Sequence, residues 1–175
     1  EAVTPADRTL DNQSLTLSGL AGTVIELTGQ SELHLTSGAN PLVSSEVRLN
    51  SVDSALFFEN VKPSEVISGY LGQVRVNGAP AIAGFTVRVV QYEQGAIVLP
   101  HAFDYQPLVA FAGPHFTGAS VAFDQYTYYD SAGALGLMAG DLSSFRLKKG
   151  YMATLATQAN GGGKSQVFVA QDFDL

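Results

Sequence analysis

The sequence predicts an all-β protein in two parts, a strand-rich first part over residues 1–106 and a second β part over residues 107–175. Three observations carry this. Short apolar runs alternate with polar residues at period two and close on Gly, Asn or Ser, as half-buried strands do. One stretch, residues 63–71, carries helix punctuation. Beyond Pro100 the texture changes, since seven of the ten Phe and five of the seven Tyr fall in the remaining residues.

The alternating phrase returns in Leu15-Thr16-Leu17-Ser18-Gly19, Val24 to Gly29, Leu33-His34-Leu35 to Gly38, and Val47-Arg48-Leu49-Asn50. Successive runs lie about nine to fourteen residues apart, which suits the stacked rungs of a parallel β-helix or the short antiparallel strands of a sandwich. The spacing leans toward rungs. Leu56-Phe57-Phe58-Glu59-Asn60-Val61 is more fully apolar than the runs before it and reads as a central strand, with Glu59 capping the turn that follows. Pro63 to Leu71 then predicts a helix of two turns at most, Pro at its first position and Gly72 as its left-handed terminus. Asn77-Gly78 signals a tight turn. Phe85 to Val90 and Ala96 to Leu99 read as strands on either side of Gly95. No Pro/Ser-rich linker separates the two parts.

Two resemblances add to this reading. Phe111-Ala112-Gly113-Pro114-His115-Phe116-Thr117-Gly118, followed by Ser120-Val121-Ala122-Phe123, resembles the Greek-key motif of βγ-crystallin domains, in which a folded hairpin needs Gly in a left-handed conformation while two aromatics pack across the turn. Asp141 to Leu147, with its Ser143-Ser144 pair, is similar to the later element of that motif, and a partial second motif runs from Leu155 through Gly163 to Val169. The chain stops at Leu175 before another Ser-bearing loop. The resemblance implies a βγ-crystallin-like fold for residues 107–175. It also implies a calcium loop at Ala139 to Ser144, where both leading acidic or amide positions are lost and Asp141 stands one place late, leaving Asp141 and Ser143 as metal candidates. Leu56 to Ser64, Val87 to Val90 and Ser144 to Thr154 resemble the non-catalytic region ahead of glycoside-hydrolase domains in secreted bacterial β-glucan-degrading enzymes. That similarity implies an extracellular accessory module that binds a polysaccharide beside its hydrolase.

Composition narrows the field further. Nine Lys and Arg against 16 Asp and Glu give a net charge of −7, and basic residues cluster nowhere beyond Lys148-Lys149, so no nucleic-acid footprint is present. No apolar run is long enough to span a bilayer as a helix, and Glu1 to Pro5 lack a signal-peptide pattern. Without Cys there is no disulfide, thiolate nucleophile or Cys-based zinc site. His34, His101 and His115 lack ligand spacing, and the carboxylates Glu26, Glu32, Glu46, Asp53, Glu59, Glu65, Glu93 and Asp104 read mostly as the solvated face of strands. Gly161-Gly162-Gly163-Lys164-Ser165 lacks the first Gly of a phosphate loop and reads as a hairpin tip. The expectation is a protein that is not an enzyme and needs no cofactor.

Binding is better supplied. Sugars stack their apolar faces on aromatic rings while polar side chains satisfy the hydroxyls, and Asp124-Gln125-Tyr126-Thr127-Tyr128-Tyr129-Asp130 sets such groups side by side. On a strand, Tyr126 and Tyr128 would share one face and Tyr129 the other. Tyr70, Tyr92 and Tyr105 are further candidates. The expected ligand is a β-glucan held by Asp124, Gln125, Tyr126, Tyr128, Tyr129, Tyr105 and Tyr92. The rivals are a purely structural βγ-crystallin-like module and an enzyme using Asp104, Glu59 or Glu93.

Overall fold

The structure is a computed structural model that describes residues 7–36, 40–102, 104–136 and 140–170. Glu1 to Pro5, Gly38, Ala139 and Leu175, named above, lie outside the described residues. The protein is all-β and divides into two compact units, residues 1–102 and 103–175.

In unit 1 the alternating runs stack in parallel. The first rung is β1 (Arg8–Asp11), β2 (Ser14–Leu17) and β3 (Leu20–Ala21), and the second is β4 (Val24–Thr28), β5 (Glu32–Leu35) and β6 (Leu42–Val43). A third holds β7 (Glu46–Leu49) and β8 (Ala55–Phe58), and β9 (Val74–Val76) starts a fourth. Sheet order β1-β4-β7-β9 is parallel throughout, as are β2-β5-β8 and β3-β6. This is the pairing of stacked rungs, whereas a sandwich of hairpins would pair successive strands antiparallel. β1, β3 and β6 carry no alternation long enough to be read in the sequence.

Register puts like on like. Leu10, Leu27, Leu49 and Val76 pair in one column, and Leu17, Leu35 and Phe58 in another. The inward column members Leu10, Leu27, Leu35, Leu49 and Phe58 are fully buried. Inward burial of a leucine column is the main stabilising term, and in a solenoid it is shared between neighbouring rungs.

Corners turn on small and amide side chains. Gly29 sits at φ 58°, and a Cβ there would collide with the Asn12 side chain, whose Oδ1 accepts from Gln30 N at 3.0 Å. Buried Ser31 and Ser54 donate to Thr28 O and Ser51 O, both at 2.6 Å, so these corners bury no unsatisfied hydroxyl.

β8 is fully buried between β5 and β12 (Gly95–Pro100), the central place the sequence predicts. β12 pairs antiparallel with β11 (Val87–Tyr92), and β10 (Ala79–Pro80) returns on β9 through Asn77-Gly78, both at positive φ. The helical segment departs from expectation. Pro63–Glu65 forms one α turn, Val66–Tyr70 a wider π turn and Leu71–Gln73 a tight 3-10 turn, so Gly72 is an interior residue and not a left-handed terminus. The cap assigned to Glu59 belongs to Glu65, whose Oε2 accepts from Lys62 N at 3.1 Å.

In unit 2, β13 (Leu108–Phe111) is flanked antiparallel by β14 (Ser120–Phe123) and β15 (Ser144–Leu147). A short helix, α1 (Ala132–Leu135), lies between β14 and β15 in the chain. β16 (Met152–Ala156) and β17 (Ser165–Val169) form a separate hairpin. Both hairpins fold over at the tip. His115, Phe116 and Gly118 take positive φ in the first, and Asn160, Gly161 and Gly163 in the second. Gly113 N donates to Thr117 O at 2.9 Å, and Gln158 N to Gly162 O at 3.1 Å, in equivalent positions. The first tip is fastened by Ser144, whose Oγ accepts from Phe116 N (3.0 Å) and donates to Gly113 O (2.7 Å).

Candidate functional site

Residues 124–130 leave β14 as a turn and not as the strand the alternation suggested, because Tyr126 adopts φ 56°, a left-handed conformation costly for a bulky side chain. The turn is nonetheless pinned. Asp124 N donates to Tyr129 Oη at 2.9 Å, Gln125 N to Tyr105 O at 3.1 Å, and Thr127 Oγ1 to Gln125 O at 3.2 Å. Asp130 O receives Asn160 N at 2.9 Å, tying the far end of the turn to the second hairpin tip.

These anchors divide the predicted residues into two groups. Tyr126 is 73% exposed and Tyr128 68%, among the most exposed rings described. Asp124 is exposed beside them and accepts from Gln106 Nε2 at 2.9 Å through Oδ1. The others turn inward. Tyr129 packs edge-on against Phe123 at 4.9 Å, and its hydroxyl closes the turn. Gln125 is buried and accepts from Tyr151 Oη at 3.2 Å, a positioning contact that removes it from any ligand's reach. Tyr105 is half-buried, with Lys148 Nζ 4.7 Å from its ring centroid and Tyr151 at 6.0 Å. Tyr92 belongs to unit 1, where it is 5% exposed and packs edge-on against Phe57 at 5.8 Å. Its place as a ligand contact is corrected by that burial, as is Gln125's. Tyr70, likewise in unit 1, lies half-buried and stacked on Phe58 at 5.6 Å.

The loop before β15 offers little to calcium. Ser144 Oγ is committed to the first hairpin tip, and Ser143 N donates to Phe111 O at 3.0 Å. Asp141 is exposed and supplies the only carboxylate of the stretch from Gly140 to Ser144, where a calcium ion takes six to eight oxygens. Among the described residues no group of three or more His, Asp or Glu could hold a metal ion. The residues present do not fit the implied calcium site.

Unit 1 carries a charged network that the sequence reading passed over. Arg48 Nη1 meets Glu26 at 2.8 Å and its Nε meets Glu46 at 2.7 Å, while Arg75 Nε lies 3.5 Å from the second oxygen of Glu46. Hydrogen bonds first to Glu46 and then to Glu26 raise the Arg48 pKa above its ordinary value. The local signal was Glu46-Val47-Arg48, two charges on one strand face, but Glu26 reaches Arg48 only through the parallel register. A shallow cavity of about 280 Å³ opens beside this network, lined by Asp7, Arg8, Thr9, Val24, Glu26 and Arg48. Its carboxylates are engaged, Glu26 by Arg48 and Asp7 by Val24 N at 2.8 Å, so the cavity holds a braced surface and not a pair of opposed acids.

Among the described residues no helix is long and apolar enough to cross a membrane. No protein family, curated protein or solved structure matches this chain.

Proposed function

We propose that this protein is a non-catalytic carbohydrate-binding module, secreted as an accessory to a polysaccharide-degrading enzyme, and that it recognises a β-glucan through unit 2. The observation that carries the reading is the exposure of Tyr126 and Tyr128 on a turn pinned at both ends, with the exposed Asp124 at the start of the same turn. A turn whose backbone is already fixed loses little freedom when a sugar stacks on the rings it carries, and one carboxylate oxygen can accept from a hydroxyl. The order β14-β13-β15, the folded tips and the Ser144 fastening support the βγ-crystallin-like resemblance of this unit.

Affinity electrophoresis of the full chain in gels containing laminarin, curdlan, agarose or xylan tests the reading. Retardation by laminarin or curdlan, lost in Tyr128→Ala at unchanged thermal midpoint, is the expected result. Free mobility in every polymer overturns it. The second reading, a structural module with no sugar ligand, draws on the inward packing of Gln125, Tyr129 and Tyr151, and it predicts that free mobility.

A further inference from the structure

β11 (Val87–Tyr92) pairs with β12 on one side only and forms the outer edge of its sheet. Which of its backbone groups face outward follows from the ladder. His101 N donates to Thr86 O at 3.0 Å, so Arg88, Val90 and Tyr92, at even steps beyond it, turn N–H and C=O toward β12. Val87, Val89 and Gln91 turn theirs away. Val87 bears this out, since its N donates to Ile82 O at 3.2 Å and its O accepts from Gly84 N at 2.8 Å, both in the loop folded back beside the strand. Val89 and Gln91 have no such cover. Their two outward N–H and two outward C=O groups make no hydrogen bond among the described residues.

This free stretch is bounded at both ends and matches itself. The loop of residues 82–86 closes it at Val87, and beyond Tyr92 the chain turns at Glu93, φ 48°, back to Gly95. An antiparallel copy centred on Val90 sets Val89 opposite Gln91 of the second copy and Gln91 opposite its Val89. Four hydrogen bonds then use every outward group of that window in both strands. Centring on Val89 instead would set Gln91 against the loop-covered Val87, and centring on Gln91 would set Val89 against Glu93 in the turn. In the favoured register the half-buried Val90 meets its own copy at a non-hydrogen-bonded position, where side chains lie closest and β-branched pairs fit well. Arg88 falls opposite Tyr92 of the second copy, one residue from its Glu93, so the two-fold brings opposite charges together twice. Each 82–86 loop faces the other copy's turn, and it carries two exposed apolar side chains, Ile82 and Phe85, the latter 75% exposed.

We propose that β11 is a self-association edge, to which a second copy of this chain adds its own β11 antiparallel about Val90. Such a contact is small beside the roughly 1,200 Å² of a stable complex, so the dimer is weak, with a Kd on the order of 100 µM.

Sedimentation of the full chain from about 10 µM to about 1 mM, with amide exchange read at the same concentrations, tests this. The expected result is a monomer–dimer equilibrium in which the Val89 and Gln91 amides exchange freely in dilute solution and about fivefold more slowly at the top concentration. The Arg88 and Val90 amides are expected to stay protected throughout. Gln91→Pro removes an outward N–H and none that faces β12, and it is expected to abolish the dimer at unchanged thermal midpoint. Val90→Lys and Val90→Glu each set like charges face to face across the two-fold and should be monomeric alone, while their mixture associates again. That pair decides the matter even where Gln91→Pro fails to fold. A parent that stays monomeric at every concentration overturns the proposal, and so does a dimer whose Val89 and Gln91 amides still exchange freely, because it uses another face. Protection of both amides in a monomer overturns it too, because the edge is then covered from within the chain.

Discussion

Unit 1 and unit 2 are built from the same material, short β-strands closed by glycine, asparagine and serine, yet they spend their apolar side chains differently. In unit 1 the columns through Leu10, Leu27, Leu35, Leu49 and Phe58 are fully buried. In unit 2 the hydrophobic cluster has buried Ala110 and Phe123 at its centre, with Leu108, Val121, Tyr129 and Leu135 only partly covered around them. Met152, Val167 and Val169 stay exposed on its second hairpin, as do Tyr126 and Tyr128. Rung stacking lets each strand bury one face against two neighbours, whereas a hairpin standing alone has one neighbour and leaves a face to water. The difference teaches where to look for each property: rigidity in the rungs, display in the hairpins.

Leu27→Ala gives the sharpest test of that contrast. Leu27 is paired in register with Leu10 below and Leu49 above, so truncation opens a cavity that touches three rungs. The expected cost is about 3 kcal/mol, within the 2–5 kcal/mol typical of buried leucines. Denaturant unfolding followed by residue-resolved hydrogen exchange should show protection falling across β1, β4 and β7 while β13 to β15 keep theirs. Equal loss in both units would break the comparison.

A smaller effect is expected from Ser144→Ala. It removes the acceptor of Phe116 N and the donor to Gly113 O, both near the surface where water can replace them, and should cost about 1 kcal/mol. Exchange should quicken at the first hairpin tip and leave the rungs untouched. Unchanged exchange at Phe116 would mean that the backbone bonds of the tip suffice without the serine.

Arg48→Met should do least. The guanidinium bridges Glu26 on one rung and Glu46 on its own, but the side chain is 41% exposed and its partners are solvated. The thermal midpoint should drop slightly at low salt and match the parent at high salt, where screening has already weakened the pairs. A loss that persists in concentrated salt would show that the guanidinium's hydrogen bonds to Glu46 and Glu26, and not screened charge attraction, hold the rungs together, since methionine keeps an apolar stem.

Residue by residue, legibility followed distance along the chain. Leu33-His34-Leu35 and Val47-Arg48-Leu49 announce strands because alternation is local, and Asn77-Gly78 announces its turn because both residues tolerate positive φ. Gly72 misled, since glycine marks a helix end only when the helix is regular up to it, and the π turn Val66–Tyr70 changed the phase first. In the candidate site, Tyr126 and Tyr128 were found from composition, but the exposure of both comes from a left-handed turn at Tyr126 that no local pattern requires. Gln125 and Tyr92 look as polar and as sugar-like as their neighbours, and only packing against Tyr151 and Phe57 removes them.

By itself the sequence determined that the chain is β throughout, where its apolar faces alternate, and that its aromatics gather in the second half. Those properties depend on side-chain chemistry at neighbouring positions. Only the tertiary structure decided that the runs of unit 1 stack in parallel, that Glu26 reaches Arg48, and that Asn160 N meets Asp130 O. Each of these joins residues far apart in the chain, and what unites them is the register and burial that the assembled backbone imposes, which no residue carries alone.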